Sequence, residues 1–271
     1  RLAQEVLAQL QQLLGRSETL RDFLQQELEA WQERQRRSCL GAPTDTQLRP
    51  LEAWFTQLGQ GLFQLLQLLQ ALQDLRQKLT YERDPLKAET PLLERRLREL
   101  LSYLLRSAFV VEQQPCMPNA GKRPLVLRTG TKFSARARLL VRLHDRNHRM
   151  EATIHIDRLG EGKGSKGTAE VGTGLEQGAR GQGGHGWWHH SALCVQGPLA
   201  VTEELHLITF TLAYAYRGLE LELETSTLPF VIISNTNQLS SAWASILWLN
   251  MLSTDPRVSQ DPPPPPPPPP P

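Results

Sequence analysis

The sequence predicts an α plus β multidomain chain, with an antiparallel helical coiled-coil bundle first, an antiparallel β-sandwich next, and a short helical region last. Three observations carry this reading. Apolar residues recur every three or four positions through the first 112 residues, and after Pro115 the period falls to two. The residues that break regular structure are also confined. Ten of the 20 prolines form one run, Pro262 to Pro271, and twelve of the 19 glycines lie between Gly160 and Gly197. The rest of the 271-residue chain can therefore sustain long elements.

The first helix is expected through Leu7, Leu10, Leu14, Leu24, Leu28 and Trp31, with Ser17 and Arg21 interrupting its stripe. Pro43, flanked by Gly41 and Asp45, marks a turn. The second helix has the most regular pattern, with Leu51, Phe55, Leu58, Leu62, Leu65, Leu69 and Leu72 forming the seam. Gln57, Gln60, Gln64, Gln67, Gln70 and Gln73 fill the positions between them. Asp84-Pro85 ends this helix, and Thr90-Pro91 has the chemistry of an N-cap followed by the first helical residue. A third helix then runs through Leu93, Leu97, Leu100 and Leu104. Long amphipathic helices joined by short connections pack antiparallel.

Strands are expected at Pro124–Arg128, Ala135–Leu143, Met150–Asp157, His206–Tyr216, Leu219–Glu224 and Leu228–Ser234. Thr129-Gly130-Thr131 turns between the first two, and Arg217-Gly218 closes a tight hairpin. In the second strand Ala135, Ala137, Leu139, Val141 and Leu143 share one face, while Arg136, Arg138 and Arg142 share the other. From Leu239 to Leu252 the pattern is helical again.

The net charge of +2 conceals an asymmetry. Lys122 to Arg149 holds nine Lys or Arg against Asp145, whereas Glu203 to Glu224 holds five Glu against Arg217. Such a basic stretch suits a polyanion such as nucleic acid, and equally a solvated strand face. Three scattered cysteines, Cys39, Cys116 and Cys194, form neither a disulfide framework nor a metal ladder. No apolar run reaches the roughly 18 residues of a membrane span. Enzymatic chemistry has little footing, because no nucleophile–base pair is visible. Gly162-x-Gly164-x-x-Gly167 and Gly181-x-Gly183-x-x-Gly186 satisfy the dinucleotide pattern but do not lie between a parallel strand and a helix. His185, His189, His190 and Cys194 offer zinc-type ligands without a second ordered pair. No cofactor and no metal is expected.

Six blocks in order carry a resemblance. They are Cys116-Met-Pro118, Arg123-Pro-Leu-Val-Leu-Arg-Thr-Gly130, Arg138-Leu-Leu-Val-Arg-Leu143, Val201-Thr-Glu-Glu-Leu-His206, Pro229-Phe-Val-Ile-Ile-Ser-Asn235 and Trp243-Ala-Ser-Ile-Leu-Trp248. Together they resemble the STAT transcription factors over roughly residues 1–158 and 198–257. Phe109-Val-Val-Glu112, Gln114-Pro-Cys-Met-Pro118 and Trp54-Phe55 look most like the member that acts in type I interferon signalling. The resemblance implies a coiled-coil domain (partial here, 1–112) joined to an immunoglobulin-like DNA-binding domain (113–257). It implies regulation of RNA polymerase II transcription in the JAK–STAT pathway, residence in cytoplasm and nucleus, and three partners: DNA, signal transducer and activator of transcription 1, and interferon regulatory factor 9.

Carried over by position, Asn235 is expected to reach DNA bases, since an amide both donates and accepts; an Asx turn is the alternative. Arg136 stands where the family places a DNA-approaching lysine, and Glu203 and Glu204 match a glutamate pair to which DNA binding is sensitive. Arg128, Lys132, Arg138 and Arg142 are expected to add phosphate attraction. Between Arg158 and Gly197 the sandwich strands of the family are expected to be missing. Thr168 to Gln196 reads as translated intron, and 258–271 as a disordered polyproline tail beyond the resemblance. A sandwich without those strands would leave edges unpaired. A coiled-coil scaffolding protein that does not bind DNA is the alternative function.

Overall fold

The structure, a computed structural model, describes residues 2–77, 86–118, 124–131, 133–143, 152–158, 170–174, 192–196 and 205–252. Three helices come first: α1 (Leu2–Cys39), α2 (Arg49–Gln77) and α3 (Leu86–Ser107). Nine strands follow among the described residues: β1 (Phe109–Cys116), β2 (Val126–Arg128), β3 (Phe133–Leu139), β4 (Ala152–Arg158), β5 (Glu170–Gly174), β6 (Ala192–Gln196), β7 (Leu205–Tyr216), β8 (Leu219–Ser226) and β9 (Phe230–Ile233). A 3-10 turn (Thr236–Gln238) leads into α4 (Leu239–Leu252). The expected order of bundle, sheets and terminal helix is the observed one.

The interruption expected in α1 does not occur. Ser17 sits within the helix with its hydroxyl donating to the Leu13 carbonyl at 2.9 Å, and the Arg21 guanidinium lies 5.1 Å from the Tyr103 ring centre on α3. The helix stops in a Schellman arrangement. Gly41 takes φ of +100°, Gly41 N–H bonds to Ser38 O at 3.0 Å, and Ala42 N–H bonds to Arg37 O at 3.0 Å. The following loop is pinned back on α1, because Trp31 Nε1 donates to Thr46 O and Thr44 Oγ1 donates to Arg34 O. α3 corrects the second expectation, since it begins at Leu86 and leaves Thr90-Pro91 inside the helix. Pro91 fits there because its ring fixes φ near the helical value and only one hydrogen bond near the N-terminus is forgone.

The leucine seams are core, as their spacing implies. Leu14, Leu28, Trp31, Phe55, Leu62, Leu66, Leu97, Leu101 and Leu104 are all buried and continue into the β region through Val110, Leu127, Phe133, Phe210 and Phe230. One hydrophobic core therefore runs from the bundle into the sheets.

The strands form a four-stranded sheet, ordered β1-β3-β6-β5, and a five-stranded one, ordered β2-β9-β7-β4 with β8 also paired to β7. All pairings are antiparallel except β2 with β9, a parallel pair that the antiparallel expectation missed. The β7–β8 hairpin turns at Arg217 (φ 50°) and Gly218 (φ 71°), the positive pair that a two-residue primed turn needs. The segment between Arg158 and Gly197 supplies two strands where none was expected. β6 pairs with β3 from Phe133↔Val195 to Arg136↔Ala192, and β5 pairs with β6. Both are short runs that can extend without long-range sequence periodicity, and β6 covers the β3 edge that would otherwise be unpaired. No helix among the described residues is long and apolar enough to cross a membrane.

Candidate nucleic-acid interface

The expected DNA-facing residues separate into two places. The first is the end of the five-stranded sheet. β2 and β9 run in parallel with Arg128 beside Ile233, and Thr129 N–H donates to Ile233 O at 2.9 Å. The two chains therefore leave the sheet at the same end, β2 through the turn at Gly130 (φ 70°) and β9 through Ser234 and Asn235. Arg128 and Asn235 are both exposed, and Arg128 has no ion-pair partner among the described residues. Asn235 caps the 3-10 turn, with its Oδ1 accepting the Asn237 N–H at 2.9 Å and its Nδ2 donating weakly to Ser234 Oγ at 3.4 Å. The Asx turn of the sequence reading is thus present, and it fixes the exposed amide at the sheet end. Lys132, Glu203 and Glu204 lie outside the described residues.

The second place is strand β3 and the residues just after it, where the arginines already have protein partners. A register shift between Val111 and Gln113 of β1 leaves Glu112 opposite no single residue of β3. Its carboxylate meets Arg138 Nη2 at 2.7 Å and lies 4.0 Å from Arg136 Nη1. Glu52, in the first turn of α2, lies 3.6 Å from Arg138 Nη1 and pairs closely with Arg142 Nε. An acid is also favoured there by the positive end of the helix dipole. The Arg138 side chain is only 14% exposed, and the Glu52 side chain only 10%. Burial holds the Arg142 guanidinium below its ordinary pKa, with Glu52 opposing that shift and Arg138 adding to it. Arg138 and Arg142 were expected as phosphate contacts, yet they join α2 to the sheet, because the buried Glu52 and the partly buried Glu112 reach them first. Arg136, with its side chain 33% exposed, is the most open of the three after Arg142.

The same junction is reinforced by neutral groups. Thr56 of α2 donates its hydroxyl to Leu140 O at 3.0 Å and accepts the Arg142 N–H at 3.0 Å. Gly59 permits this approach, since a β-carbon there would stand 2.8 Å from Val141 Cγ1. A second junction is built from two buried glutamines. Gln35 Nε2 of α1 donates to the Val111 and Glu112 carbonyls at the β1 register shift, each at 2.9 Å. Gln114 Nε2 donates to Gln35 Oε1 at 2.9 Å, while its own Oε1 accepts the Leu228 N–H at 2.7 Å. Sequence reasoning missed Glu52, Glu112, Gln35 and Gln114. The only available signal was polar residues at positions where the flanking pattern calls for core.

Among the described residues, no cluster of three or more His, Cys, Asp or Glu is placed to hold a metal. His185, His189, His190 and both glycine-rich motifs lie outside them.

Comparisons agree with this architecture. Residues 1–101 match the family model for the STAT transcription factor coiled-coil domain, and residues 113–233 match that for the STAT protein DNA-binding domain. Signal transducer and activator of transcription 4 of Mus musculus is 36% identical over 266 residues, covering 93% of this chain and 36% of the relative. Its Homo sapiens counterpart is 35% identical with the same coverage. The chain thus spans about a third of the length of the curated relatives it matches. Two consecutive domain matches fall on the helical and β regions seen in the fold, and the chain belongs to the STAT family of transcription factors.

Proposed function

We propose that the chain binds DNA through the sheet end where Arg128 and Asn235 emerge. The observation that supports this most is their joint exposure at the shared end of two parallel strands, Arg128 without an ion-pair partner among the described residues and Asn235 fixed just beyond β9 as the cap of the 3-10 turn. In this reading Arg128 and Lys132 contact phosphate, Asn235 reads a base edge, and Arg136 adds charge from the neighbouring sheet. Glu203 and Glu204, immediately ahead of β7, position the donors around them. Arg138 and Arg142 serve the interface indirectly by holding the sheet to the bundle.

The finer reading is that of a regulator of RNA polymerase II transcription in type I interferon signalling through JAK–STAT. It would act with signal transducer and activator of transcription 1 and interferon regulatory factor 9, moving between cytoplasm and nucleus. Its support is the likeness of Phe109–Glu112, Gln114–Pro118 and Trp54-Phe55 to signal transducer and activator of transcription 2. The relatives matched above carry a different member's name, so this part rests on those blocks alone.

The test is duplex binding by fluorescence anisotropy over a salt series. Arg128→Ala is expected to weaken binding to all sequences and reduce the salt slope by about 0.9. Asn235→Ala is expected to narrow the preference for specific over random duplex by about 1–3 kcal/mol. Unchanged binding in both variants would remove the site, and absence of any duplex binding would favour the scaffolding alternative.

A further inference from the structure

The amide of Asn235 is held by more than its own cap. Ile233, the last residue of β9, is tied to β2 through the Thr129 N–H, and the next residue, Ser234, is tied forward to the 3-10 turn. Gln238 Oε1, at the end of that turn, accepts both the Ser234 N–H at 2.8 Å and the Ser234 hydroxyl at 3.0 Å. Ser234 and Gln238 are half-buried, whereas Asn235 between them is exposed. Gln238 Nε2 has no hydrogen-bond partner among the described residues, so the side chain is anchored through its oxygen.

The direction of these bonds fixes the polarity of the amide. A hydroxyl has one proton, and that of Ser234 is committed to Gln238, so towards any other neighbour Ser234 Oγ can only accept. It accepts Asn235 Nδ2 at 3.4 Å, while Asn235 Oδ1 accepts the Asn237 N–H at 2.9 Å. Turning the amide over would set Oδ1 against an oxygen with no proton to give and Nδ2 against an N–H. Both contacts would be repulsive. What remains for a ligand is one Nδ2 proton and one Oδ1 lone pair, in one fixed order. That order complements the N7 acceptor and N6 donor of an adenine edge, whereas guanine offers two acceptors. An amide free to turn over would present either order and discriminate less.

We infer that Gln238 is a positioning residue for base reading: through Ser234 it locks the Asn235 amide in a single orientation, and so sets a preference for adenine at the base pair Asn235 meets. This role rests on the reading that Asn235 faces DNA. Gln238 touches no base in it. Its side-chain oxygen acts from two hydrogen bonds away, so its effect falls on discrimination between sequences and leaves phosphate attraction alone.

The experiment uses the full chain, with circular dichroism as the folding control. Duplex bound from a pool with a randomised core is sequenced, and the selected duplex is compared with base-substituted ones by fluorescence anisotropy. The parent is expected to select adenine at the position that Asn235→Ala flattens. Gln238→Leu should lower the preference for adenine over guanine there roughly tenfold and leave the salt slope unchanged. Ser234→Ala keeps the backbone bond to Gln238 and cuts only the hydroxyl relay, so a loss of about threefold is expected. Gln238→Glu keeps the accepting oxygen and should retain the parent's preference within about twofold, while its charge weakens binding to every duplex. Nuclear magnetic relaxation of the Asn235 side-chain amide gives a readout without DNA. The amide should be as rigid as the backbone in the parent and in Gln238→Glu, and more mobile in Gln238→Leu and Ser234→Ala. An amide equally rigid in every chain would overturn the inference. So would guanine at the selected position, or a preference that Gln238→Glu loses as fully as Gln238→Leu. A Gln238-dependent amide in a chain that binds no duplex would instead refute the DNA reading of Asn235, and the positioning role with it.

Discussion

Two regions of the β half carry the basic residues, and they use them differently. On β3 the guanidinium of Arg138 is 14% exposed and meets Glu112 at 2.7 Å and Glu52 at 3.6 Å. At the end of β2, Arg128 stands exposed beside a parallel strand that is followed by Asn235, the cap of the 3-10 turn. In sequence both belong to one run of positive charge. In the fold the charge of one is spent on holding two domains together and that of the other is open to a ligand. A count of lysines and arginines therefore overstates the field this face presents to a polyanion.

The sharpest way to break this comparison is to remove the carboxylate shared by Arg138 and Arg142. Glu52→Ala would remove one of the carboxylates that Arg138 meets and the one paired with Arg142 Nε. Stability is expected to fall by about 3 kcal/mol, the lower end for breaking a buried pair because Arg142 is half exposed. Urea denaturation followed by circular dichroism would measure it. A loss under about 0.5 kcal/mol would show that the pair is merely a surface contact.

The glutamine junction should come next. Gln35→Leu removes the donor to two carbonyls at the β1 register shift and the acceptor for Gln114; the bonds to Val111 O and from Gln114 are buried and that to Glu112 O is partly buried. Leaving such groups without partners is expected to cost about 2 kcal/mol. Gln114→Leu should cost a similar amount, and the double variant should cost less than the sum, because the two side chains bond to each other. Strict additivity in the denaturation midpoints would count against a shared network.

A matched pair of substitutions addresses function. Arg128→Ala is expected to lower duplex affinity roughly tenfold, or about 1.4 kcal/mol, with little change in stability. Arg138→Ala should do the opposite, lowering stability while leaving the salt slope of the folded protein near its parent value. Equal effects on the salt slope would erase the distinction between the two regions.

The parts of this arrangement that were legible in sequence are those fixed by local periodicity. The leucine seams, the Arg217-Gly218 hairpin and the terminal helix from Leu239 to Leu252 each follow from spacing or turn chemistry within a few residues. The misses have a common cause. Thr90-Pro91 has good cap chemistry, but the chain ahead of it was already helical from Leu86. The parallel pairing of β2 with β9 joins residues more than a hundred positions apart, and no local pattern encodes it. For the site, Asn235 and Arg128 were legible as candidates by resemblance. The loss of Arg138 to Glu52 and Glu112 was not, since which acid meets which arginine is decided by how α2 docks on the sheet.

The smallest effect tests the other end of the same joint. Glu33 lies on α1 between Arg36, at 2.7 Å, and Arg37, also at 2.7 Å, and Arg36 in turn donates to Asn250 O of α4 at 3.0 Å. Hydrogen bonding from Arg36 is the main reason the Glu33 carboxyl is held down to about 2 from an ordinary 4.5. A carboxylate whose pKa is depressed on folding contributes stability that is fully present above its unfolded value and is lost as pH falls through the folded one. For Glu33 that window runs from about 4.5 down to about 2. Its side chain is 36% exposed, so solvent screening leaves a few tenths of a kcal/mol at most. Glu33→Gln should therefore lower the urea midpoint slightly at neutral pH, and the gap from the parent should close as the pH is taken from 4.5 towards 2. A gap that stays constant across that range would mean the two arginines hold α4 without the help of the charge on Glu33.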